Sequence, residues 1–153
     1  MSSRCGARPT PAEPGASPGS AVATGPKEDS HPFAVTFRAD NPDAKQRQGV
    51  YEQALQLTAL VDRLIDTTEA RFHLKDTLDK ASVVIALRIA QAAGEFSKGE
   101  RRRQYRVARR AATDCAAVLD ILARRKGADP AVLDPARQLV ITLVAQLAHL
   151  ATK

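Results

Sequence analysis

The chain has 153 residues and a mass of 16.4 kDa, with a formal net charge of +6, 44% apolar residues, 4% aromatics and no Trp. That is enough for one domain and a tail with an aliphatic core, and the Leu, Ala, Val and Ile content favours helices. Two cysteines in unlike surroundings, Cys5 near the start and Cys115 in a helical stretch, exclude a disulfide framework and suit a reducing cytoplasm.

Seven of the nine prolines and four of the eight glycines fall before Ala44. Residues 1–44 read as a disordered Pro/Gly-rich tail, because so polar a segment has little to bury against the entropy of ordering. Arg4 and Arg8 precede no apolar stretch, which argues against a secretory signal. Within the tail, residues 31–38 alternate Phe33, Val35 and Phe37 with smaller or polar side chains. They are expected to form a docking strap on the body, the alternatives being a short strand for a partner or no order at all.

The body, residues 45–153, resolves into four helices. The first spans about residues 45–68, with Val50, Ala54, Leu57, Val61 and Leu64 spaced alternately by four and three. A second, from about 74 to 96, puts Leu78, Ser82, Ile85, Ile89, Ala92 and Phe96 on one stripe. Ser97 and Glu100 then fit a capping box that starts the third. Its stripe is Tyr105, Ala108, Ala112, Cys115, Leu119 and Leu122, and Gly127 is the expected stop. Asp129-Pro130 and Asp134-Pro135 are two successive start signals for the fourth, which carries Leu133, Ala136, Val140, Leu143, Leu147 and Leu150. Four such seams joined by short connections predict an all-α, antiparallel up-down-up-down four-helix bundle. The longest apolar run, residues 139–151, is about 13 residues and interrupted by polar ones, too short to span a bilayer.

The second helix is apolar nearly all round: between residues 81 and 93 only Ser82, Arg88 and Gln91 are polar. A bundle helix buries one face and wets the other, so Val83, Val84 and Leu87 lack cover within one subunit. Ile141 and Val144 raise the same question on the fourth helix. The expectation is a homo-oligomer with Val83, Val84 and Leu87 in the interface, unless the strap covers them.

Positive charge is local. Residues 98–126 hold ten basic and three acidic side chains, a net of +7, while the first 44 residues contribute about −1. At 100° per residue, Arg102, Arg103, Arg106, Arg109, Arg110 and Arg124 share an arc of roughly 120° opposite the apolar stripe. Such a face suits phosphates, which arginine can grip with two parallel hydrogen bonds. With no aromatic on it to stack a base, sequence-specific reading of single strands is disfavoured. RNA or DNA would be held through phosphates.

The stretch LKDTLDKASVVIALRIAQ at 74–91, with Tyr105, Ala108 and Asp114 in the next helix, resembles a bacterial four-helix-bundle family. Its founding members are encoded in intervening sequences of large-subunit ribosomal RNA genes. A related branch is the accessory variability determinant of diversity-generating retroelements. Leu74, Leu78, Ala81, Ile85, Ile89 and Ala90 stand where that family's pattern has the same residues. Lys80 replaces its Arg, Gln91 its Glu, Tyr105 its Phe and Asp114 its Glu, and Val50 to Leu57 suits its opening helix. Arg88 stands for the family's Asn, Val84 for its Ser, Ala92 for its Gly and Arg110-Ala111 for its Gly-Ser pair, which marks a divergent member over about residues 48–122. The resemblance implies a closed ring, typically a pentamer, that acts on nucleic acid without catalysis. In retroelements such a ring binds a reverse transcriptase and its RNA template. It also makes Arg88 and Asp114 a candidate buried pair, the alternative being that Arg88 reaches past its neighbours to water.

Nothing in the sequence calls for catalysis, a metal or a cofactor. His31, His73 and His149 are scattered, and His73 with Glu69 and Asp76 reads as a polar turn rather than a ligand set. Cys115, within the apolar stripe, reads as a small core residue. The expected function is a non-catalytic, cytoplasmic, nucleic-acid-binding oligomer, an RNA binder or an adaptor for a nucleic-acid enzyme such as a reverse transcriptase. The other reading is a protein-only scaffold whose basic face meets an acidic partner.

Overall fold

The computed structural model describes residues 34–38 and 42–153. Residues 1–33, with most of the expected tail, Phe33 and Cys5, lie outside the described residues. Four helices follow: α1 (Ala44–Thr67), α2 (Phe72–Gly94), α3 (Lys98–Arg124) and α4 (Pro130–Thr152). Helix α1 packs on α2 and α4, and α3 packs on the same two, while the diagonal pairs do not touch. Each connection is a few residues long, so neighbours run antiparallel. The architecture is the expected up-down-up-down bundle.

The stripes read from residue spacing form the core. Val50, Ala54, Leu57, Val61 and Leu64 of α1 are buried, as are Leu78, Ile85 and Ile89 of α2 and Leu143, Leu147 and Leu150 of α4. Each such aliphatic side chain contributes roughly 1.5–3 kcal/mol by leaving water. Ser82, buried among them, donates its hydroxyl to the Asp79 carbonyl at 2.8 Å, so its polarity is satisfied within the helix. In the irregular segment 34–38, Phe37 lies 6.0 Å from the Tyr51 ring, a tilted contact on α1 rather than on the α2 apolar face.

Three helix ends differ from expectation. Phe96 is not on the α2 stripe: the helix stops at Gly94, and Phe96, the residue before the Ser97 cap, is 85% exposed. Asp134-Pro135 does not start a helix. Asp129 caps α4, its side chain accepting from Ala131 N at 3.0 Å, and Pro135 sits inside the second turn. At the end of α3, Gly127 N–H donates to Leu122 O at 3.2 Å and Lys126 N–H to Ala123 O at 3.2 Å, the paired bonds of a Schellman cap. The left-handed residue of that cap is Lys126, with φ 53, and not Gly127. A side chain there costs on the order of 1 kcal/mol that glycine does not incur. Lys126→Gly should therefore raise the melting temperature by a few degrees. An unchanged or lower value would contradict the cap assignment.

Helix α4 is long and apolar enough to cross a membrane by length and composition, with a mean hydropathy of 1.2 over its most apolar window. The run 139–151 therefore understates the element. Its Leu133, Val140, Leu143, Leu147 and Leu150 are buried in the bundle, and a third of that window is buried in all.

Candidate nucleic-acid interface

Ser97 starts α3 by accepting from Glu100 N–H at 3.4 Å. The reciprocal half of the expected capping box is absent. Glu100 Oε1 instead accepts from Arg103 Nη1 at 2.7 Å and Gln104 Nε2 at 2.8 Å. The Arg103 hydrogen bond above all, then that of Gln104, holds the Glu100 carboxyl below its ordinary value against some desolvation. Glu100 is thus ionised at neutral pH and ties down one arginine of the basic face.

Because Tyr105, Ala108, Ala112, Cys115, Leu119 and Leu122 are all buried, the opposite side of α3 faces water. Arg103, Arg106, Arg109, Arg110 and Arg124 are exposed there, as the helical arc predicts. Among the described residues, Arg106, Arg109, Arg110 and Arg124 make no ion pair. Arg102 shares the arc but not the face. Its Nη2 donates to the Lys153 carbonyl at 2.9 Å, which draws the guanidinium to the end of the bundle. Arg124 is exposed but remote. It lies fourteen residues beyond Arg110, about 21 Å along the axis. Between them Asp120 binds Arg137 of α4 at 2.8 Å, which interrupts the positive field. The compact part of the basic face is therefore Arg103, Arg106, Arg109 and Arg110, about two turns of helix.

Arg88 does not pair with Asp114. Its Nη1 donates to Gln91 Oε1 at 3.0 Å and to Gln104 Oε1 at 3.2 Å. The register of α2 against α3 explains this. Arg88 lies level with Gln104, and the Cys115 thiol approaches the Leu78 carbonyl at 3.9 Å. Asp114 is thus level with the start of α2, about 15 Å from Arg88 along the axis. It lines instead a groove of about 450 Å³ with Lys80, Val84, Val107 and Arg110. Gln104, buried and bridging Arg88 to Glu100, was not singled out by sequence. Its place on the flank of the Tyr105 stripe was the available signal.

The apolar side of α2 is open in the single chain. Val83 is 49% exposed and Leu87 50%, while Val84 is half-buried in the groove against α3. On α4, Ile141 is 57% exposed beside the half-buried Val144. The α2 and α4 patches sit at opposite corners of the bundle, since those helices do not touch.

Among the described residues, no three His, Cys, Asp or Glu side chains gather as metal ligands. Cys115 is fully buried, and burial pushes its thiol up to about 12, so it stays protonated and unreactive at neutral pH.

Among known families, the one described as 23S rRNA-intervening sequence protein matches residues 46–149, essentially the whole bundle. No curated protein sequence matches the chain.

Proposed function

The chain belongs to the 23S rRNA-intervening sequence protein family, and on that footing we propose that it is a non-catalytic RNA-binding protein working as a closed ring of identical subunits. The observation that carries the binding role is the cluster of Arg106, Arg109 and Arg110, exposed and without ion-pair partners among the described residues. Arginines left unneutralised on one helix face are a ready contact for a run of phosphates, and binding releases the counterions the nucleic acid holds. DNA offers the same phosphates and is the competing ligand in any test.

Support for a ring comes from the two apolar patches. Val83, Val84 and Leu87 on α2 and Ile141 with Val144 on α4 lie at opposite corners of the subunit. A two-fold dimer formed through one patch would leave the other wet. Head-to-tail contact between unlike patches covers both, and it closes into a ring when the rotation allows. Five subunits is the number that family resemblance implies. The ring would serve in the cytoplasm as an adaptor for a nucleic-acid enzyme, of which a reverse transcriptase is the example in the related retroelement branch.

A ring repeats the arginine face once per subunit, so modest affinity at one face becomes avidity on a strand long enough to reach several. A long single-stranded transcript should therefore bind at least ten-fold more tightly than an oligomer that reaches one face only. Equal affinity per strand, measured by filter binding at low salt, would sink the ring-borne RNA reading.

A further inference from the structure

The up-down-up-down order brings the N-termini of α1 and α3 to the same end of the bundle, where α4 finishes. There a cavity of about 370 Å³ is lined by Arg47, Lys98, Arg101, Arg102 and Lys153 and by one acidic side chain, Asp43. Asp43 accepts from Lys153 Nζ at 2.9 Å and lies 3.9 Å from Arg47. Arg102 is anchored on the Lys153 carbonyl. These contacts fix the frame but leave donors over. Lys98 and Arg101 form no ion pair among the described residues.

Tyr105 completes the wall. It is 1% exposed, and its hydroxyl is buried without a hydrogen-bond partner. Arg47 Nε and Arg102 Nε, on the same wall, are also buried and unpartnered. Orphaned polar atoms are rare in protein interiors, because losing water without gaining a partner is costly. All three belong to residues that line one cavity, which suits a ligand that accepts hydrogen bonds from several directions. Desolvation keeps the Tyr105 phenol above its ordinary value, so at neutral pH it is a donor. The positive ends of the α1 and α3 dipoles at this end are opposed by the negative ends of α2 and α4, so the field rests on the basic side chains.

We infer that this cavity binds a phosphate monoester, with Tyr105 Oη, Arg47 and Arg101 donating to its oxygens. A tetrahedral dianion matches donors that converge from three elements, whereas a carboxylate is satisfied by a single arginine fork. The volume corresponds to about a dozen waters at about 30 Å³ each. It therefore has room for the sugar that carries the phosphate. Free inorganic phosphate, a nucleotide and the phosphorylated end of an RNA strand share this chemistry. The site is separate from Arg106, Arg109 and Arg110, so either can fail without the other.

The test is calorimetric titration of the full chain at constant ionic strength with inorganic phosphate, AMP, and one short RNA oligomer bearing a 5′-phosphate or a 5′-hydroxyl. Wild type should bind phosphate saturably at one site per chain. Tyr105→Phe, which keeps the ring in the core and removes only the orphaned hydroxyl, should weaken binding several-fold. Arg101→Ala, at a half-exposed position, should weaken it at least ten-fold, and phosphate should no longer raise its melting temperature. Reversal of Arg106 and Arg110 to glutamate should leave phosphate binding unchanged. Preference for the phosphorylated oligomer over its hydroxyl twin identifies a strand end as the source. Equal binding of the two oligomers, with saturable binding of phosphate or AMP, identifies the free anion or nucleotide. Absence of saturable phosphate binding by folded wild type overturns the assignment, and so does unchanged affinity in Arg101→Ala.

Discussion

On the proposed ring, Val83→Glu combined with Leu87→Glu should yield folded monomers of 16.4 kDa. Both side chains are about half exposed in the single chain, so the bundle tolerates the change. In a seam between subunits each carboxylate would be desolvated without a partner, at a cost of a few kcal/mol per site. Two such costs at every contact of a ring exceed what a typical interface has in reserve. Val84 is the less discriminating position, because Lys80 and Arg110 line its groove and would pair with a new glutamate. Light scattering on wild type should return several times the subunit mass at micromolar concentration. A wild-type mass near one subunit, or a doubly substituted protein that stays assembled, would contradict the interface assignment.

How much of this was legible in the sequence depends on which interaction decided each feature. The four core stripes were readable because burial imposes the helical period directly on side-chain choice, as from Val50 to Leu64. The Ser97 and Asp129 caps were readable because a short side-chain oxygen before an apolar run has few other uses. Features settled by competition between neighbours were not. Phe96 has the spacing of a core residue but falls after Gly94, where capping by Ser97 overrides the stripe. Lys126 takes the left-handed position beside a glycine that convention would have chosen. Pro135 follows an aspartate as Pro130 does, yet the first cap had already started the helix.

The basic face divides in the same way. Its arc follows from geometry, and Arg103, Arg106, Arg109, Arg110 and Arg124 emerge on it. Whether each arginine is available depends on contacts distant in sequence. Lys153 captures Arg102 from the end of α4, and Asp120 with Arg137 separates Arg124 from the rest. The pairing of Arg88 with Gln104 rather than Asp114 is a matter of helix register, which no single-helix pattern encodes.

The second large effect is expected from Arg106→Glu with Arg110→Glu. Both side chains point away from the stripe of Tyr105 to Leu122, so helicity and melting temperature should stay near wild type. The change removes two of the proposed phosphate contacts and adds two repelling charges. RNA affinity at low salt should fall by at least a hundred-fold, and more on long transcripts if the loss is repeated around a ring. Arg124→Glu, on the far side of the Asp120–Arg137 pair, should lower it much less. A folded double variant that binds RNA like wild type would remove this face from the interface and move attention to an acidic protein partner.

The central claim, that RNA is held through phosphates by Arg103, Arg106, Arg109 and Arg110, is tested most directly by the salt dependence of wild-type binding to a short single-stranded RNA. Four contacts at about 0.7 counterions each predict a log–log slope of roughly −3 per face, with little change between RNA sequences of equal length. A slope near zero, or no binding at all at low salt, would contradict it.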